Sequence, residues 1–306
     1  MAVLQQMIIF ALLILVGLYA RNKKMITDEN QAQVSALVVR IAYPAIILSG
    51  ALVDGPHIGG DELLLTLGVT IALLVLLMIA AWVLPRLLGY EKKYYSIINV
   101  MMIFSNIGFM GVPMIDAIYG KGALIYMTIF LIPFNLLFFS YAIKAIKGSS
   151  KKQPFKWRDL LNEGMIACFL AIVIYLMNIH IPYVIRTTVQ MLGSMTAPLA
   201  MLLIGSFLSD MDWKEMFSDT RMWLFTLMKM VVFPVVIVMI LEQFVDNPLL
   251  MAVCLAAIAT PAGNVLSLLA SIYNKEVYPL SLKGITLTTL VSVVTMPIVY
   301  ILTGLA

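Results

Sequence analysis

Apolar runs of about twenty residues recur roughly every thirty residues along this chain, ten times in all. About 20 helical residues at 1.5 Å each cross a bilayer core about 30 Å thick. The runs lie at 2–20, 34–53, 61–85, 94–119, 122–146, 161–179, 187–208, 221–244, 248–273 and 279–304. They nearly exhaust the 306 residues, of which 62% are hydrophobic and 12% charged; an average soluble domain is about 25% charged. The expected fold class is an all-α integral membrane protein with ten transmembrane helices. A soluble enzyme with a membrane tail, a receptor with a large ectodomain and any sizeable water-exposed catalytic domain are excluded.

Orientation follows from the basic residues. The loops after the odd-numbered runs hold sixteen Lys and Arg, whereas the opposite side holds Lys121 and Arg186. By the positive-inside rule both termini are outside and the Lys-rich segment 147–158 is cytoplasmic. The net charge of +4 therefore reports topology in a lipid bilayer and implies no nucleic-acid partner. No basic segment precedes the first apolar run, and Arg21, Lys23 and Lys24 follow it, as in a retained first span and not a signal peptide.

The segment around 148–158 is the one polar stretch long enough to divide the chain, with five runs on each side: a repeat over 1–147, a cytoplasmic linker over 148–158 and a second repeat over 159–306. Because five is odd, two halves of the same span order sit in the membrane with opposite orientation, the inverted-repeat arrangement of many secondary transporters. Prolines recur at related places: Pro44 with Pro198, Pro113 with Pro261, and Pro133 with Pro297.

Runs 4 and 9 carry the chemistry. Run 4 reads FSNIGFMGVPMIDAIYG, with Asn106, Gly108, Gly111 and Pro113 near its middle; run 9 reads AIATPAGNVLSLLASIY, with Thr260, Pro261, Gly263 and Asn264 near its middle. Proline removes an amide donor and clashes with the preceding turn, while glycine relieves the steric penalty on non-helical backbone. Both spans are expected to be broken at the membrane midplane. Backbone groups freed there must face protein, water or a ligand, and the N-terminal ends of half-helices favour a carboxylate. The amides of Asn106 and Asn264 can donate to an anion without bringing a full charge into the membrane. The alternative for each span alone is a proline kink with small residues that serve helix packing.

The N-x-G-x-x-G-x-P of run 4, the T-P-A-G-N of run 9 and the Y-P-A-I-I-L of run 2, within ten spans whose termini are outside, resemble the auxin efflux carrier family. In size the chain is similar to its compact bacterial members, regarded as malate or malonate permeases. The resemblance implies a scaffold domain from spans 1, 2, 6 and 7, a mobile transport domain from spans 3–5 and 8–10, an elevator-type motion, a homodimer, and a substrate pocket where spans 4 and 9 cross. Pro113 and Pro261 would mark that crossover, with Asn106, Gly108, Gly111, Gly263 and Asn264 around the substrate. A second asparagine that plant members carry in the span 4 motif has no counterpart here, where Ser105 and Ile107 flank Asn106, which argues against auxin itself.

Lys229 lies about nine residues into run 8. It either attracts an anion or serves a coupling site, or it snorkels to the cytoplasmic surface; for Arg40, near the start of run 2, snorkelling is expected. Asp116 and Glu242 sit near outer span ends, so no midplane coupling carboxylate is evident. Tyr126, Asn135 and Gln243 either line a cavity or satisfy neighbours. Cys168 and Cys254 lie inside apolar runs as free packed thiols, and His57 and His180 lack a partner at metal-ligand spacing. No metal, cofactor or enzymatic motif is expected. The sequence thus points to a cytoplasmic-membrane carrier of small organic anions such as malate, malonate or an aryl acetate, with a sodium- or proton-coupled symporter of bile-acid-carrier-like architecture as the alternative.

Overall fold

The computed structural model of the chain describes residues 2–52, 59–147, 163–209 and 217–305. The linker 148–158, Lys214 and His57 lie outside the described residues. Among the described residues every regular element is helical, apart from an isolated antiparallel bridge between Ser105 and Ala262.

Among the described residues seven helical segments are long and apolar enough to cross a membrane: Val3–Asn22, Asp28–Ala51, Gly60–Leu87, Lys121–Lys147, Tyr183–Leu208, Thr220–Leu241 and Tyr278–Leu302. The other three apolar runs hold shorter helices, Ile107–Tyr119, Glu163–Leu176 and Pro248–Ala259. Large apolar side chains such as Leu12, Leu15, Ile79, Trp82, Val294 and Ile301 are exposed on the helices, an outward surface suited to hydrocarbon and unfavourable in water. Some helices begin at a capping polar side chain. Thr27 accepts from the Asn30 amide and the Asn30 side chain accepts from the Thr27 amide; Asn247 Oδ1 accepts from the amides of Leu249 and Leu250 at 2.9 and 3.1 Å. Each cap satisfies amides that no preceding turn can reach.

Among the described residues four turns are widened to π geometry: Val38–Ala42, Ile107–Gly111, Phe138–Ala142 and Met228–Val232. Three of them end two residues before a proline, Pro44, Pro113 and Pro234 respectively. A helical proline lacks the N–H its turn needs, and its ring presses on the carbonyl four residues back. Widening the turn moves that carbonyl away without ending the helix. The fourth turn contains Ser140, whose hydroxyl donates back to Leu136 O at 2.6 Å, a competing bond that also bends helices.

The chain gathers into two compact units, one from the described residues of 1–67, 108–132 and 161–211, the other from those of 68–107, 133–160 and 212–306. In the first, helix Ala2–Asn22 lies against Thr196–Leu208. Glycines let the two backbones touch: a Cβ at Gly17 would stand 2.2 Å from Leu202 O, and one at Gly205 2.0 Å from Ile14 O. Lipid solvates apolar side chains as well as protein does, so close backbone packing supplies the association. In this unit Arg40 is exposed and reaches Glu163 at 3.7 Å, and Asp116 pairs with Lys121 at 3.2 Å.

Gly205→Leu is expected to cost about 3 kcal/mol or more by forcing these backbones apart. Gly68→Leu, where a Cβ meets nothing within 4 Å, should leave the thermal unfolding midpoint near wild type. Equal midpoints for the two variants in detergent would contradict the packing argument.

Candidate functional site at the crossing of two interrupted helices

The second unit contains both interruptions. Helix Tyr95–Ile103 stops where Phe104 turns extended, at φ −98° and ψ 90°. Helix Pro248–Ala259 stops where Thr260 does the same, at φ −70° and ψ 150°. The extended segments meet side by side in opposite directions. Asn106 N–H donates to Pro261 O at 2.7 Å, and Gly263 N–H donates to Phe104 O at 2.9 Å. A Cβ at Gly263 would lie 3.2 Å from Phe104 O, so glycine suits this approach. The amide of Ala262, in the short bridge, donates to Thr288 Oγ1 at 3.2 Å, and the Thr288 hydroxyl in turn reaches Gly284 O at 2.8 Å. Ala262 and Thr288 are both fully buried. The backbone freed by the two breaks is therefore largely paired within the protein, as a low-dielectric interior requires.

What stays unpaired at the crossing is side-chain chemistry. Asn106 is 5% exposed and Thr260 is wholly buried, and Asn106 Nδ2 and Thr260 Oγ1 have no hydrogen-bond partner. Asn264 opens helix Val265–Tyr273 without capping it through its side chain. Its backbone carbonyl accepts from the Ser267 hydroxyl at 2.8 Å. Together these groups present two amides, a hydroxyl and a helix N-terminus, a set suited to an oxyanion.

Lys229 joins the same place. It is 1% exposed, so it does not reach a membrane surface. Its Nζ donates to Ser105 Oγ at 2.9 Å and to Met102 O at 3.2 Å. It sits in the π turn Met228–Val232 that precedes Pro234.

The other sequence-derived candidates are divided between the crossing and places elsewhere. Pro261, Gly263 and Asn264 are in the crossing, but Pro113 is the second residue of helix Val112–Tyr119, seven residues beyond Asn106. Gly108 and Gly111 belong to the π turn that Pro113 induces. Gly108 lies in the first unit, where a Cβ would meet the Tyr43 ring at 3.1 Å. Tyr126, also in the first unit, donates its hydroxyl to Glu62. Asn135, in the second unit, has a buried Nδ2 without a partner. Ser105, Thr288 and the Met102 carbonyl were not singled out from sequence. Only the hydroxyls within the apolar run TLTTLVSVVT offered a hint of the second.

The second unit also has a cavity of about 560 Å³ at the helix ends, lined by Tyr90, Asp219, Arg221, Glu276 and Lys283 among others. Burial, with the Asp219 charge adding to it, pushes the Tyr90 hydroxyl above its ordinary pKa. The charges here answer one another: Lys283 faces Asp219 at 3.5 Å and Arg221 donates to Gly89 O at 2.9 Å. No side chain here is left as the Asn106 amide and the Thr260 hydroxyl are, buried without a hydrogen-bond partner, save the Tyr90 hydroxyl.

The family profile described as membrane transport protein, which is that of the auxin efflux carriers, matches residues 2–156 and 151–300. The chain belongs to this family. No curated protein matches the chain. Membership in the membrane transport protein family makes the chain a transporter, and with its apolar helices makes it a multi-pass membrane protein.

In this transporter Thr288 holds the crossing together by accepting from a buried amide. Thr288→Val leaves the Ala262 N–H without an acceptor, at a cost of about 1–3 kcal/mol, whereas Thr288→Ser keeps the oxygen. The valine variant should unfold at a lower temperature than the serine variant; equal midpoints would remove Thr288 from this role.

Proposed function

We propose that the chain is a secondary carrier of small organic anions, carboxylates such as malate, malonate or an aryl acetate, in the cytoplasmic membrane. The observation that carries this reading is the buried, unpartnered Asn106 amide at a crossing whose backbone is largely paired. A buried amide without an acceptor costs about 1–3 kcal/mol, and a carboxylate recovers that cost on binding. The Thr260 hydroxyl, the Asn264 amide and the N-terminus of helix Val265–Tyr273 complete the seat with neutral dipoles. Neutral donors hold a carboxylate without retaining it so tightly that release fails.

Transport proceeds by alternating access of the elevator type, with spans 1, 2, 6 and 7 as scaffold and spans 3–5 and 8–10 as the moving part, in two inverted five-helix repeats. Two observations favour this: the crossing lies whole within one compact unit, and the interruptions fall in the fourth and ninth apolar runs. Both termini face outside and the carrier works as a homodimer. The driving force is the anion gradient with the membrane potential, worth about 2.3 kcal/mol per charge per 100 mV, which assists export of an anion from a cell negative inside.

Proteoliposomes on a solid-supported membrane, presented in turn with malate, malonate, succinate and indole acetate, should give a current for at least one carboxylate without a sodium or pH gradient. Empty liposomes should give none. Silence toward the whole panel contradicts the electrogenic anion reading. Asn106→Ala and Asn264→Ala are each expected to weaken binding of the active carboxylate by about tenfold, the equivalent of 1.4 kcal/mol, in a protein that unfolds near the wild-type temperature. Undiminished binding in both variants places the seat elsewhere.

A further inference from the structure

The crossing leaves one backbone acceptor stranded, and a lysine fills the gap. In an uninterrupted helix the Met102 carbonyl would accept from the Asn106 amide, four residues on. Here the Asn106 N–H goes across to Pro261 O, and the Met102 carbonyl is met by Lys229 Nζ. Met102 is in the last turn of helix Tyr95–Ile103, where the aligned peptide dipoles concentrate negative potential. The second partner of Nζ is again an oxygen, Ser105 Oγ. Among the described residues no carboxylate lies within 4 Å of Lys229, although it is 1% exposed. A hydroxyl and a carbonyl at a half-helix C-terminus are the kind of oxygens that hold a small monovalent cation in broken-helix carriers. Thr226, three residues before Lys229, has a buried Oγ1 without a partner.

We propose that the ammonium of Lys229 is a cation built into the crossing, seated on oxygens that a free coupling ion would otherwise occupy, so that anion binding there needs no sodium. The proposal rests on the reading of the crossing as an anion seat, and it assigns Lys229 a positioning and charge-compensating role. The side chain arrives through the π turn that Pro234 imposes. One extra residue in that turn offsets the helix register by about 100°, which sets where the ammonium points. The tethered charge then does two things at once. It neutralises the carbonyl end of one half-helix, and it supplies the positive potential that lets neutral amides hold a carboxylate in a dry site.

The test uses the whole protein in detergent without any organic anion, so it does not depend on which carboxylate is carried. Thermal unfolding of wild type and Lys229→Ala is followed in choline chloride and in sodium chloride of equal ionic strength. Wild type is expected to unfold at the same temperature in both salts. Lys229→Ala should unfold lower in choline and recover by about 3 °C or more in sodium, because an ion that binds only the folded state raises the midpoint. A sodium shift in wild type as large as in the variant, or none in the variant, overturns the proposal. If Lys229→Ala does not fold, Lys229→Met, which fills the volume without charge, is assayed with whichever carboxylate of the panel binds wild type. A loss of about tenfold or more in affinity that sodium does not restore is expected, and unchanged affinity overturns the proposal. Failure of every carboxylate to bind wild type would refute the anion reading while leaving the salt comparison intact.

Discussion

Hydrocarbon offers no partner to a peptide group, so a helix interrupted inside an apolar run must find other acceptors and donors for the groups it frees. The crossing is built around that requirement. Two breaks placed side by side answer one another through two backbone hydrogen bonds, and a threonine from helix Tyr278–Leu302 takes the Ala262 amide. A lysine takes the stranded carbonyl. The backbone is largely settled in this way, and the Asn106 amide and the Thr260 hydroxyl are left without partners at the crossing. Chemical capacity at the site is thus what remains after the demands of folding in lipid have been met.

Prolines shape the structure less by breaking helices than by widening them. Before Pro44, Pro113 and Pro234 the chain keeps its helical course through a π turn. Each turn shifts the face on which the preceding side chains stand. Lys229 stands in one of these turns. A long cationic side chain can extend to the membrane surface, yet this one is held inward by two oxygen acceptors and is almost wholly buried. Another long cationic side chain set within a span, Arg40, stays exposed beside Glu163.

The apolar helices were legible in the sequence because length and composition are local properties. The regions of the two interruptions were legible too, since Gly, Pro and Asn within an apolar run each weaken a helix for a stated reason. The residue at which a helix stops was not. Pro113 looked like the break of the fourth run, but its clash is absorbed by the turn 107–111, and the chain leaves the helix earlier, at Phe104. The inward course of Lys229 was hidden for a related reason, because an added residue in a turn is invisible to a count based on 3.6 residues. Thr288 gave little signal, since hydroxyls in membrane helices commonly bond to their own preceding turn, as this one also does. The partner of Tyr126, Glu62, lies 64 residues away, a pairing that no local pattern encodes.

The central claim is that a carboxylate binds at the crossing of residues 104–107 with 260–267. Hydrogen–deuterium exchange of the protein in liposomes, with and without malate and malonate at saturating concentration, addresses it directly. The account predicts slower amide exchange confined to peptides covering these two stretches and the turn around Lys229. Protection that appears only elsewhere, for example in the polar cavity around Tyr90 and Arg221, would contradict it.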